Sequence, residues 1–142
     1  MSRAKHIFNQ PFYPKTMGFF SALMGNAGVA QPSELIKEYG VLLAEGEIIE
    51  IGFKLVRDVF IFTNKRLILV EKQGLTGKKV DYLSVAYKSI SRFGIETAGH
   101  LDLDAELKIW VSSEVQPSIV RKFNSQVNIY DLQKVLAQHV LG

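Results

Sequence analysis

The sequence predicts a mainly β domain: seven antiparallel strands in a barrel or orthogonal sandwich, preceded by a short helical segment and capped by a C-terminal α-helix. Three observations predict it. Val59–Phe62 and Leu67–Val70 are short apolar runs on either side of the polar turn Thr63-Asn64-Lys65-Arg66, the pattern of a β-hairpin. Leu101, Leu103, Ala105, Leu107, Ile109 and Val111 alternate with Asp102, Asp104, Glu106, Lys108 and Trp110, which marks a strand with one buried face. Residues 128–141 then change period, with Leu132, Val135, Leu136 and Val140 forming the stripe of an amphipathic helix.

In chain order, residues 1–16 have two prolines and no helical period. They are expected to lie outside the domain, as a disordered tail or as an extension upstream of a start at Met17. A chain starting at Met17 would not be myristoylated, because Ala22 stands where that signal needs Ser or Thr. Residues 17–45 form a helical lead-in. Gly18–Met24 is short and apolar, and Ser33 after Pro32 is the expected N-cap of a helix whose stripe is Leu35, Ile36, Tyr39, Leu42 and Leu43. That stripe packs either on its own domain or on another subunit. Gly46 ends the segment.

Residues 46–124 read as strands. Ile49, Ile51 and Phe53 alternate, and the hairpin follows; neither of its runs alternates, so both of its faces must be covered by a lid, a terminal helix or another subunit. Gln73-Gly74-Leu75-Thr76-Gly77 makes a second turn. Val80 and Tyr82 then share one parity while Leu83, Val85 and Tyr87 take the other, which predicts a β-bulge or bend inside that strand. Phe93, Ile95 and Thr97 share a face, and Ser118–Phe123 makes the last strand. Asn128 with Asp131 resembles a capping box at the start of the final helix. Short strands in succession favour closure over a flat sheet, because closure hides the edges.

The 142 residues suit one domain with a single core, and the composition is that of a globular protein. The net charge of +3 is carried by Arg3, Lys5 and Lys15 in the acid-free first 16 residues; from Met17 onward acids and bases balance. A neutral domain body is no footprint for nucleic acid and makes an anionic lipid surface an unfavoured partner. The chain has no cysteine, which excludes disulfides, thiolate zinc sites and a cysteine nucleophile, and fits a cytoplasmic location. No apolar run reaches the roughly 18 residues of a membrane span.

The segments FTNKRLILVEKQGLTGKK (Phe62–Lys79) and ETAGHLDLDAELKIW (Glu96–Trp110) resemble the bacterial pleckstrin-homology-like (PH-like) domain family. The likeness runs from about Met17 to Leu141. It implies a seven-stranded PH-like barrel with a C-terminal helix. It also implies a cyclic homo-oligomer, a five-fold ring for single-domain members, with no catalysis and a role in protein–protein interaction through polar strand surfaces. On that reading Asn64, Arg66, Glu96, Asp102 and Asp104 are the candidate contacts for a partner protein. Phe60, Leu67, Leu69 and Trp110 are the candidate contacts between copies. Trp110 lies on the polar parity of its strand and so needs cover, from the N-terminal helix or from a neighbouring subunit.

Other chemistries fare less well. Lipid headgroups need clustered cations, and the first hairpin offers Lys54 and Arg57 followed at once by Asp58 and an apolar run. His100, Asp102 and Asp104 share one strand face at i, i+2 and i+4, a ligand set for a divalent metal. The simpler reading is a solvated strand face beside a turn histidine. Gly74–Lys79 lacks the glycine spacing and the Ser or Thr after Lys of a phosphate loop. There is no G-x-S-x-G elbow. The expectation is a non-enzymatic module without cofactor or resident metal.

Overall fold

The computed structural model describes residues 15–97, 105–123 and 126–142. Two helices lead in. α1 (Lys15–Leu23) is followed by a two-residue strand β1 (Val29–Ala30), then α2 (Pro32–Tyr39) and a 3-10 turn, Gly40–Leu42. Pro32 occupies the first turn of α2, where its missing N–H costs nothing, and the N-cap is Gln31 rather than Ser33. The seven expected strands follow: β2 (Ile49–Lys54), β3 (Asp58–Thr63), β4 (Arg66–Gln73), β5 (Lys79–Ala86), β6 (Ile90–Thr97), β7 (Ala105–Val111) and β8 (Ile119–Phe123). α3 (Ile129–Leu141) closes the chain, with the Asn128 side chain accepting a hydrogen bond from the Tyr130 N–H. Asn128 is thus the N-cap as expected, but Asp131 does not complete a capping box; its carboxylate accepts instead from Asn26, 3.1 Å away.

The strands form two antiparallel sheets rather than one closed barrel. The first runs β1-β2-β3-β4-β5 and the second β6-β7-β8. Register shifts fall between Ile49 and Ile51 and between Ile90 and Arg92. The bulge expected inside β5 is absent: β5 pairs with β4 without interruption from Arg66–Ala86 to Gln73–Lys79. Its apolar residues occur at both parities because Tyr82 and Leu83 are both largely exposed, so neither belongs to a buried set that the pleat must satisfy.

The main core lies between the sheets. Ile51, Phe53, Phe60, Phe62, Leu67 and Leu69 meet Leu107, Ile109, Ile119 and Phe123, and α3 adds Leu132, Val135 and Leu136. A second cluster covers the other face of the hairpin, where Val59, Ile61, Ile68 and Val70 pack with Ala30, Leu35, Tyr39 and Ile49. Both faces are therefore dry, as the unbroken apolar runs require, and the cover is this chain's own α2. Of its stripe, Leu35 and Tyr39 pack on its own domain with Leu42 and Leu43 partly buried beside them, while Ile36 stays exposed. Gly52 makes the approach possible: a Cβ there would run into Leu35 Cδ1, so the bare glycine lets α2 lie close on β2. Gly28, at φ +80°, brings the α1–β1 connection against Val127, where a Cβ would stand 2.8 Å from the Gln126 carbonyl oxygen.

The two sheets are also tied by charge. Asp58 on β3 and Glu71 on β4 face each other across the ladder, a repulsive pair by itself. Arg121 reaches over from β8 to both, at 3.4 Å and 2.9 Å.

Candidate interaction surface

The residues around the Thr63–Arg66 turn form a polar knot. The Thr63 hydroxyl accepts from the backbone N–H groups of Lys65 and Arg66 at 3.0 Å and 2.9 Å, which bends the chain between β3 and β4. That hydroxyl donates to Glu47 Oε2 at 2.6 Å. Arg66 grips the same carboxylate with two nitrogens, Nε at 2.8 Å and Nη2 at 2.9 Å, a bidentate fork. Its Nη2 also donates to the Leu42 carbonyl at 2.6 Å and its Nη1 to Ser84 Oγ at 2.7 Å. The Arg66 hydrogen bonds, with help from the Ala44 N–H and the Thr63 hydroxyl, hold the Glu47 carboxyl down to about 2 although burial opposes this. The Asn64 side chain accepts from the Ile48 N–H at 2.7 Å and donates to the Gly46 carbonyl at 3.1 Å.

Asn64 and Arg66 were expected to face a partner protein. Their polar atoms bind residues 42–48 and Ser84 of the same chain, and so fasten the segment that follows α2 onto the hairpin. Nor is Arg66 the solvated turn cation that its place in the sequence suggests. Glu96 is exposed at the end of β6 and pairs with Lys108 at 3.4 Å. His100, Asp102 and Asp104 lie outside the described residues. Among the described residues no three His, Asp or Glu side chains converge as metal ligands would.

Of the four residues expected between copies, Phe60, Leu67 and Leu69 are at most 3% exposed within a single chain. Their side chains belong to the core between the two sheets and cannot reach a neighbour, and the opposite face of the hairpin, which the sequence left open to a subunit, is covered by α2. Trp110 is half-buried. Its indole N–H donates to the Val115 carbonyl at 3.1 Å, and the Arg92 guanidinium lies 4.5 Å from the ring centroid. Part of the expected cover thus comes from β6 and the β7–β8 turn of the same chain.

What remains uncovered is β5. Among the described residues no strand lies beside its outer edge, and Tyr82 and Leu83 on opposite faces are 51% and 47% exposed. β6 and β8 are the outer strands of the second sheet, and on β8 Val120 is exposed. No sequence pattern separated these edge residues from core residues, because exposure depends on how far α2 and the second sheet extend.

The cations near the first hairpin are largely occupied. Lys54 pairs with Glu34 at 3.7 Å, Lys72 with Glu38 at 4.0 Å, and Arg121 with Asp58 and Glu71. Arg57 donates to the Gly74 carbonyl across the neighbouring turn. It lines a shallow cleft of about 200 Å³ with Leu55, Val56, Asp58 and Lys122, in which a carboxylate sits among the bases. Burial, ahead of the opposing pull of Arg121, raises the Asp58 carboxyl above its usual range.

Two antiparallel sheets around one core, with a C-terminal helix packed across it and no enclosed reactive centre among the described residues, define a PH-like module. The chain belongs to the bacterial PH domain family, which matches residues 18–140. It is 54% identical to the uncharacterized protein YjqA of Bacillus subtilis (strain 168) over 121 residues, 85% of this chain and 97% of that protein. Among solved structures, the pleckstrin homology domain from Shewanella amazonensis SB2B is 46% identical, with a TM-score of 0.75 over 88% of this chain and 100% of that one. A DUF1696 family protein with a pleckstrin-homology domain from Shewanella loihica PV-4 is 44% identical, with a TM-score of 0.69, 82% of this chain and 98% of that one being covered.

Proposed function

We infer that this chain is a non-catalytic cytoplasmic module that joins copies of itself into a cyclic homo-oligomer, five-fold in the pattern its family resemblance implies, and offers a polar rim to a partner protein. The observation that carries this reading is the bare β5 edge with Tyr82 and Leu83 exposed. A long open edge carrying apolar side chains is a template for pairing with another chain. The free edges of β5 and β8 differ in length and sequence, so contact between them joins unlike surfaces. Head-to-tail contacts of that kind make rings when the rotation closes. Glu96, exposed at the end of β6, is assigned to that polar rim.

A non-catalytic role fits the chemistry of the described residues. Glu47, the carboxylate pulled furthest down, is consumed by Arg66, Thr63 and the Ala44 N–H. Among the described residues no helix is long and apolar enough to cross a membrane. The paired cations around the first hairpin disfavour a lipid headgroup.

Light scattering on the full chain tests the assembly. The expected mass is a multiple of 15.9 kDa, near five-fold, and a single-chain mass at micromolar concentration would sink the reading. Co-sedimentation with anionic vesicles that weakens with salt would favour the lipid reading instead.

A further inference from the structure

His139 stands in the last turn of α3, its side chain only 10% exposed. Three aromatic rings lie nearly parallel to its own: Tyr87 at 4.6 Å between centroids, Phe62 at 5.5 Å and Phe20 at 5.7 Å. They come from the 3-10 turn after β5 (Tyr87–Ser89), from β3 and from α1. Both imidazole nitrogens point at acceptors. Nδ1 is 2.9 Å from the Val135 carbonyl oxygen, and Nε2 is 2.5 Å from Glu50 Oε1 on β2. A carbonyl has no proton to give and neither has a carboxylate. The two bonds together need two protons, where a neutral imidazole beside a carboxylate has one.

We propose that His139 and Glu50, with the stacked Tyr87, form a proton-operated latch that seats α3 on the core. With two protons, both bonds are made. When one proton leaves, either tautomer sets two lone pairs against each other, at Val135 O or at Glu50 Oε1, and one contact must open. The groups facing the ring from each packed element are few. β2 contributes Glu50, and the 3-10 turn contributes Tyr87, whose hydroxyl donates to the Thr63 carbonyl at 2.6 Å. Burial first and the Glu50 charge second push the Tyr87 phenol up, so it stays neutral. α1 and β3 present Phe20 and Phe62, which carry no charge, and α3 itself presents only the Val135 carbonyl. A cation in this slot is supported by the ring faces and by the C-terminal end of the helix. The helix that the latch holds contributes Leu132, Val135 and Leu136, all fully buried.

The sign follows from proton counting. The closed latch keeps a proton that a released ring gives up, so the folded state binds more protons and stability falls as pH rises.

Thermal melts of the full chain from pH 5.5 to 8.5, with nitrogen NMR of the His139 ring, test this. The wild type is expected to hold a doubly protonated ring at pH 5.5. As pH rises, its melting temperature should fall, and amide protection in residues 132–139 should drop by up to about tenfold per pH unit while β3 is unaffected. Glu50→Gln is expected to flatten that dependence, since an amide can pair with a neutral ring in either tautomer. A Glu50→Gln protein with the wild-type dependence would overturn the proposal. So would a wild-type ring that loses its second proton with no change in α3 protection, a result that stands whether or not the variant folds.

Discussion

The β3–β4 hairpin and β5 are adjacent in one sheet, yet the fold treats them in opposite ways. Every residue from Val59 to Thr63 and from Leu67 to Val70 is buried, one parity against the second sheet and α3, the other against α2. One strand further on, Tyr82 and Leu83 lie open on both faces. Both regions are rich in apolar residues, but the hairpin runs are unbroken while Asp81 and Ser84 interrupt β5. Reach separates them further. α2 lies along β2 to β4 and is pinned there by Arg66 and Glu47 near its end, and its cover thins out at Val80. The covered pair is a core and the uncovered strand is a surface.

Five variants bear on that contrast, from the largest expected effect to the smallest. Arg66→Ala strands the buried Glu47 carboxylate and unfastens the segment after α2; breaking a buried ion pair costs about 4 kcal/mol, to be read from denaturant melts. Acid should erode the same interaction. Glu47 titrates at about 2 instead of 4.5, so its contribution is whole above 4.5 and is lost as pH falls toward 2, and a Glu47→Gln protein should lack that part of the acid transition. Leu35→Ala removes the α2 side chain seated on Gly52 and should cost about 3 kcal/mol. If it costs far less, α2 is not the cover assigned to it.

Arg121→Ala leaves Asp58 opposite Glu71 with no cation between them and should cost about 1 kcal/mol at neutral pH. Part of this should return on acidification. A carboxyl raised by burial disfavours folding when ionised, so stability is regained as pH falls through its folded value. A loss independent of pH would show that Arg121 acts by packing alone. Tyr82→Ser with Leu83→Ser should change the melting free energy of a single fold by under about 0.5 kcal/mol, while lowering the mass seen by light scattering to that of one chain. A large loss of stability instead would mean that β5 belongs with the hairpin after all.

Much of this architecture was legible in the residues. The two unbroken runs called for cover on both faces, and the Leu35, Tyr39 and Leu42 stripe supplied a candidate, although one helical stripe looks the same whether it meets its own sheet or another chain. The roles of Asn64 and Arg66 were not legible. Their partners, Gly46, Glu47 and Ile48, lie 16 to 19 residues upstream, and a turn cation whose acceptor arrives from another element reads like any solvated one. Phe60, Leu67 and Leu69 were misplaced for a related reason: apolar alternation tells which side chains share a face, not what lies on it. The bulge expected in β5 is absent because the parity argument assumes that every apolar side chain is buried, and Tyr82 and Leu83 are not.

The placement of α3 has a consequence for how the protein is made. Both sheets are complete in the nascent chain at Phe123, yet the space between them is filled only once Leu132, Val135 and Leu136 have been added. Until then that part of the core has no cover, and the helix that follows both sheets in the chain is the one that shuts it.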